Sequence, residues 1–165
     1  MKILGIDPGL QVCGYAVIEA NSGQEEFIEA GVFRTDGSVS LERRLAQIAE
    51  DTNSILEKFA PGIVAVEELY SHYKHPKTAI LMGHARGVIL LKSAAAGAEV
   101  KSFAATRIKK SLTGNGHASK EQMQRAIQTI LGLASLPEPA DVADATAVAL
   151  CCANELQINS LAELL

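Results

Sequence analysis

The sequence predicts an α/β fold, a mixed sheet that opens with an antiparallel three-strand meander and carries helices on both faces. Three observations predict it. Three β-rich runs with turn residues between them crowd into the first 33 residues, and such close spacing argues for a meander. Ile63-Val64-Ala65-Val66 is apolar at every position, the pattern of a strand covered on both sides. Around that strand lie segments whose apolar residues recur every three and four positions, the helical period.

Taken in order, Lys2 to Ile6 is a short, β-branched strand that delivers Asp7 to its end. Pro8 cannot continue a ladder and Gly9 tolerates a tight turn, so the chain leaves the sheet and the Asp7 carboxyl stands at its edge. Gly14 to Glu19 and Glu26 to Phe33 complete the meander, with a turn at Asn21-Ser22-Gly23. A helix is expected from Ser40, as N-cap, to Phe59, with Leu41, Leu45, Ile48, Ile55, Leu56 and Phe59 on the face that packs on the sheet. Pro61-Gly62 stops it, and the strand from Ile63 then delivers Glu67 and Glu68.

A second helix, Pro76 to Ala96, is apolar nearly all round and carries Ala79, Gly83 and Gly87 on one stripe. A second backbone can approach that stripe closely, either from within the domain or from another subunit. Gly97 ends the helix, Glu99 to Phe103 is a strand, and Ser119 with Gln122 forms a capping box for a helix to Leu131. Pro137 and Pro139 introduce the last helix, Asp141 to Leu156. The whole reads as one domain over residues 1–157 with a short tail, 158–165, since 165 residues leave no room for two lobes and a cleft.

Composition narrows the function classes. With 48% hydrophobic and 21% charged residues the chain is expected to be globular. No apolar run is long enough to span a bilayer, and Met1 leads straight into a core strand, so a cytoplasmic protein without membrane contact is expected. Cys13, Cys151 and Cys152 are odd in number and make no Cys-x-x-Cys pair, which excludes a disulfide framework and a zinc site of that kind and predicts reduced, buried thiols.

The acids carry the chemistry. Asp141 and Asp144, three residues apart, share one helix face. Either alone is explained by the helix dipole, which favours acids in a first turn. If that helix meets the ends of the strands bearing Asp7 and Glu67, however, four carboxylates converge. Such a cluster repels itself and raises its own pKa values unless a cation is present. Oxygen ligands without His or Cys suit Mg²⁺, with Mn²⁺ as a substitute, and two such ions about 4 Å apart cleave phosphodiesters.

Charge distribution points to the substrate. The net charge of -4 suggests no affinity for polyanions, but the average conceals a segregation. Between Leu69 and Lys120 stand nine lysines and arginines and a single acid, Glu99, a net of +8 against -12 elsewhere. Ordinary surfaces intersperse the signs, so this span reads as a phosphate-binding surface. All four histidines lie in it. His72 and His75 are spaced as a metal pair could be, but no cysteine or acid cluster accompanies them, and phosphate contact or plain surface is the better reading.

Four segments now stand together: Gly5-Ile6-Asp7-Pro8-Gly9 with Gly14-Tyr15, Val66-Glu67-Glu68-Leu69-Tyr70, Ala85-Arg86-Gly87-Val88, and Ala140-Asp141 with Asp144-Ala145. In this order, over nearly the whole chain, they resemble the RuvC family of Holliday-junction resolvases. The resemblance implies a ribonuclease H-like fold and a homodimer that cuts two strands of a four-way DNA junction symmetrically in recombination and repair. It implies divalent metal, one ion activating water and the other stabilising the leaving 3' oxygen, with 5'-phosphate and 3'-hydroxyl products. Asp7, Glu67, Asp141 and Asp144 match the family's catalytic, metal-binding acids, Tyr70 its base-contacting aromatic, and Lys109 and Lys120 its DNA-contacting cations. It also implies partners of the RuvA and RuvB branch-migration type.

Glu68 stands where the family often has glutamine, so alignment alone assigns the metal to Glu67, and strand alternation supports that choice. Lys109 and Lys120 flank Gly114-Asn115-Gly116, expected to be a flexible loop that lets both reach a DNA backbone. Two alternatives remain at this point. An actin-like or sugar-kinase-like nucleotide binder also begins with a Gly-x-Asp-x-Gly turn after a strand but needs two lobes; a non-catalytic DNA-binding module would bind without nicking.

Overall fold

A computed structural model describes residues 1–21, 24–69 and 76–162. Its elements are β1 (Lys2–Asp7), β2 (Val12–Asn21), β3 (Gln24–Arg34), α1 (Leu41–Phe59), β4 (Ile63–Glu67), α2 (Pro76–Ala95), β5 (Glu99–Phe103), α3 (Ala105–Thr113), α4 (Lys120–Leu131) and α5 (Ala140–Ala162). The strands form one sheet in the order β3-β2-β1-β4-β5, antiparallel from β3 to β1 and parallel from β1 to β5. The expected mixed sheet with its meander is therefore the observed one.

Strand alternation sorts the core into two layers. Ile3, Ile18, Ile63, Ala65 and Phe103 face α3, α4 and α5. Leu4, Ile6, Val17, Val64 and Val66 face α1 and α2 on the other side. The three cysteines are buried and free.

Helix α5 lies nearer the sheet than ordinary side chains allow. A Cβ placed on Gly5 would stand 2.3 Å from the Ala145 carbonyl oxygen, and one on Gly14 2.0 Å from the Asp141 carbonyl oxygen. Ala145 and Ala149, one turn apart on the helix, meet Gly5 with the smallest side chains available. Asp7 pairs with Gly14 across β1 and β2. The same seat that admits α5 thus brings Asp141 beside Asp7.

Three expectations need correction. The loop at Gly114-Asn115-Gly116 is present, but Lys109 is not carried by flexible chain: it stands on helix α3. Gly114 is its left-handed C-cap, with φ 76° and its N–H on the Lys110 carbonyl, and the Asn115 side chain accepts from the His117 N–H to tie the next turn. Sequence period could not show so short a helix, because Ile108 is its one fully buried residue. Ser40 occupies the N-cap of α1, but its hydroxyl donates to Glu42 and makes no cap. Helix α5 does not stop at Leu156: no proline or glycine interrupts residues 157–162, and Gln157 Nε2 donates to Glu25 Oε1 at 2.6 Å. The Ala79, Gly83 and Gly87 stripe, which the sequence left open to either use, is not the face that α2 buries within the described part of the domain. Helix α2 buries Ala85, Ile89 and Ser93 instead, and a Cβ on Gly83 or Gly87 would meet nothing within 4 Å.

The capping box at the start of α4 is as expected, Ser119 and Gln122 each accepting the other's backbone N–H. Among the described residues no helix is long and apolar enough to cross a membrane.

Candidate active site

Asp7 and Glu67 arrive together because their strands are neighbours in register. β1 and β4 run parallel with Ile6 beside Val66, so the next residue of each is a carboxylate at the same end of the sheet. Alternation then sets the face. Residues 3, 5 and 7 of β1 and 63, 65 and 67 of β4 point toward α5, and the last of each triplet is the acid. Glu68, one residue on, is exposed and lines a different groove beside α2.

A cavity of about 240 Å³ opens at this edge, lined by Asp7, Glu67 and Asp144 together with Lys109, Lys120, Ala105, Ile108, Met123 and Ala147. Asp141 stands one turn before Asp144, outside the lining but close enough to act on the Asp7 and Asp144 carboxyls. Helices α3 and α4 supply the facing wall, with Lys109 half-buried and Lys120 exposed at the first position of its helix. Apart from the acids, only the two lysines could be anticipated from the sequence. Ile108, Met123 and Ala147 are ordinary core residues of their helices, and nothing in their spacing marks a site.

The electrostatics are those of acids forced together. Burial pushes the Asp7 carboxyl up to about 7, with Glu67, Asp144 and Asp141 adding repulsion and Lys120 opposing them. Burial likewise raises Glu67, with Asp144 adding to it and Lys109 opposing. Asp144 is raised by burial, which Lys120 and Lys109 counter and Asp141 reinforces. Among the described residues no three His, Cys, Asp or Glu side chains close into a ligand cage, though Asp7, Glu67 and Asp144 share one cavity.

The donor set fits a hard divalent cation. It offers carboxylate oxygens and no nitrogen or thiolate ligand, and positive charge at the centre would relieve the repulsion that raises Asp7. Tyr70, the expected base-contacting aromatic, lies outside the described residues, as do His72, Lys74 and His75.

Comparison with known proteins agrees with this geometry. The family model described as Crossover junction endodeoxyribonuclease RuvC matches residues 3–152. A crossover junction endodeoxyribonuclease RuvC of Rhodopirellula baltica is 50% identical over 149 residues, covering 90% of this chain and 84% of that protein. One from Heliobacterium modesticaldum is 42% identical, covering 94% and 96%. Among solved structures, Thermus thermophilus RuvC in complex with Holliday junction substrate superposes with a TM-score of 0.90 at 31% identity, over 97% of each chain. The fold is ribonuclease H-like, and the two-lobed nucleotide-binder reading falls away. The chain belongs to the RuvC family of crossover junction endodeoxyribonucleases.

Proposed function

We propose that Asp7, Glu67, Asp141 and Asp144 hold the divalent metal with which this RuvC-family enzyme resolves four-way DNA junctions, Mg²⁺ being the ordinary metal and Mn²⁺ a substitute. The observation that carries this is the Asp7 carboxyl, pushed up to about 7 in a cavity where a second strand and a helix add their own acids. When bound, divalent metal supplies the charge that activates water and stabilises the leaving 3' oxygen in phosphodiester hydrolysis. The carboxylates' part is to bind and orient from rigid elements, leaving 5'-phosphate and 3'-hydroxyl ends. Lys109 and Lys120 face them across the cavity and draw a phosphate between the walls. Tyr70, by its place in the sequence, stacks on a junction base.

The working unit is a homodimer. Two sites related by a twofold axis suit two symmetry-related strands. The stripe of half-buried Ala79 and exposed Gly83 and Gly87 on α2, with exposed Ile80 and Leu91 near it, supports this reading. The cytoplasm, with RuvA- and RuvB-type proteins delivering the junction, is the setting that follows. Incubating the protein in Mg²⁺ with a synthetic mobile four-way junction, and separately with a linear duplex of the same sequence, tests the proposal. Paired symmetric nicks in the junction and an intact duplex are expected; binding without nicking would mean a DNA-binding module instead.

A further inference from the structure

We infer that Arg86 is a positioning residue for Glu67, acting from the opposite side of the sheet through the Glu67 backbone carbonyl. This rests on the reading of Glu67 as a metal ligand.

Glu67 is the last residue of β4 and has two jobs at once: its side chain turns toward α5 and the cavity, and its carbonyl must find a donor where the sheet ends. Toward β1 the ladder runs out after Ile6 and Val66, and Pro8 carries no N–H with which to extend it. Arg86 fills the gap. It stands on α2, among the helices of the other layer, and its Nε donates to the Glu67 carbonyl at 3.2 Å. Its Nη2 donates to Ser102 Oγ on β5 at 2.7 Å. One planar guanidinium therefore ties the end of β4 to α2 and β5 with two bonds of fixed relative direction. On the β5 side the Glu68 N–H donates to the Phe103 carbonyl at 2.9 Å, so the peptide between Glu67 and Glu68 is held by its oxygen and by its nitrogen.

The arginine's effect is mechanical. Burial, Asp144 and Lys109 act on the Glu67 carboxyl, and Arg86 is not among them. Glu67 stands just where the strand ends, and without the tie the peptide that follows it is held on the β5 side alone, by the Glu68 N–H on the Phe103 carbonyl. A metal ligand set tolerates such play poorly, and loss of an outer partner of a ligand typically costs tenfold to a hundredfold in metal affinity.

The test titrates the full-length protein with Mn²⁺, without DNA, and reads the metal-induced rise in melting temperature. Arg86→Ala should move the titration midpoint roughly tenfold or more upward. Arg86→Lys, which keeps one donor of similar reach, should recover much of that shift. Ser102→Ala, which frees the second nitrogen, should shift the midpoint less but in the same direction, and its effect should vanish in the Arg86→Ala background. Junction affinity in EDTA should match wild type in all three. A wild-type Mn²⁺ midpoint for Arg86→Ala would overturn the proposal. So would weaker junction binding in EDTA with a shallower salt slope, restored by lysine, because that is the behaviour of a phosphate contact. If Arg86→Ala does not fold, Arg86→Lys and Ser102→Ala decide alone. Glu67→Gln separates the two levels: should it titrate and cut like wild type, the ligand assignment itself fails, whereas a dead Glu67→Gln beside a normal Arg86→Ala removes only the positioning role.

Discussion

Asp7, Glu67 and Asp144 each follow or precede a residue that is wholly buried, on strands and a helix packed into the core, whereas Lys109 and Lys120 project from two short helices that face solvent over much of their length. Ile6, Val66 and Ala145 beside the acids expose nothing, while Lys110, Glu121 and Gln122 beside the lysines are exposed. The difference suits the two tasks proposed for them. Metal ligation depends on geometry within fractions of an ångström, which packed strands and a helix seated on glycines can hold. Phosphate attraction falls slowly with distance and is satisfied by a charge on a long, rotatable stem. One wall is therefore expected to fail abruptly when altered and the other by degrees.

The largest effect expected is on the acidic wall. Asp7→Asn, Glu67→Gln, Asp141→Asn and Asp144→Asn each keep the side chain's size and remove its charge, so each should abolish nicking in Mg²⁺ while junction binding persists. Glu68→Gln, on the other face of the strand, should cut almost normally. Any one of the four acid variants nicking at near the wild-type rate would remove that residue from the ligand set.

Backbone fit comes next. Gly14→Ala would press a methyl group against the Asp141 carbonyl at 2.0 Å, and backbone on both sides has nowhere to go. Overpacking of this kind costs about 1–3 kcal/mol, and here it also drives Asp141 and Asp144 away from Asp7. On the basic side the corresponding change, Gly116→Ala, meets the Thr106 carbonyl oxygen at 3.2 Å and needs a shift of tenths of an ångström. Denaturant midpoints and nicking rates of the pair should differ widely, and similar losses in both would erase the contrast between the walls.

A third, smaller effect is the pH dependence of the metal-free protein. An acid whose folded pKa is raised keeps its proton in the native state over a range where the unfolded chain has already lost it. For Asp7 that range runs from its ordinary value of 3.8 to about 7, and across it the native state binds more protons than the unfolded one. Stability must then fall as pH rises, by at most about 1.4 kcal/mol per pH unit for one group. Glu67 and Asp144, also raised, add to the fall. Melting in EDTA from pH 5 to pH 8 should show a declining midpoint for wild type and a flatter one for Asp7→Asn, which should be the more stable protein at pH 8. A wild-type midpoint that rises over this interval would contradict the crowding of acids around Asp7.

How far the sequence could be read follows the same division. The acidic wall was legible because it rests on short periods: Asp7 and Glu67 end apolar strands, and Asp141 and Asp144 are spaced for one helix face. Their meeting depends on β1 and β4 being neighbours in register and on Gly5 and Gly14 lying under α5, contacts that no local pattern records. The basic wall was legible only as a charge excess. Its helix α3 is too short and too exposed for the apolar period to declare it, and the excess of +8 is not all available to DNA. Arg107 and Lys101 are both engaged by Glu155, which comes from α5 some fifty residues along the chain, and Arg86 is spent on the Glu67 carbonyl and Ser102. Long-range pairing of this kind is invisible to any count taken along the sequence.

That spending of charge sharpens the last prediction. If Lys101, Arg107 and Arg86 are committed within the fold, the cations left to meet phosphate at the cavity include Lys109 and Lys120, which line it with no ion pair of their own among the described residues. Replacing either by alanine should weaken junction binding and lower the slope of log K against log salt by roughly 0.9, since each neutralised phosphate on a duplex arm releases a counterion. The metal dependence of the remaining cleavage should not change. Lys58→Ala is the control, because Lys58 lies on α1 and its Nζ already pairs with Glu29 at 2.6 Å, an exposed pair whose loss costs little. Equal damage from Lys58→Ala and Lys109→Ala would mean that DNA responds to the protein's total charge, and the basic wall would then be no wall at all but part of a diffuse field.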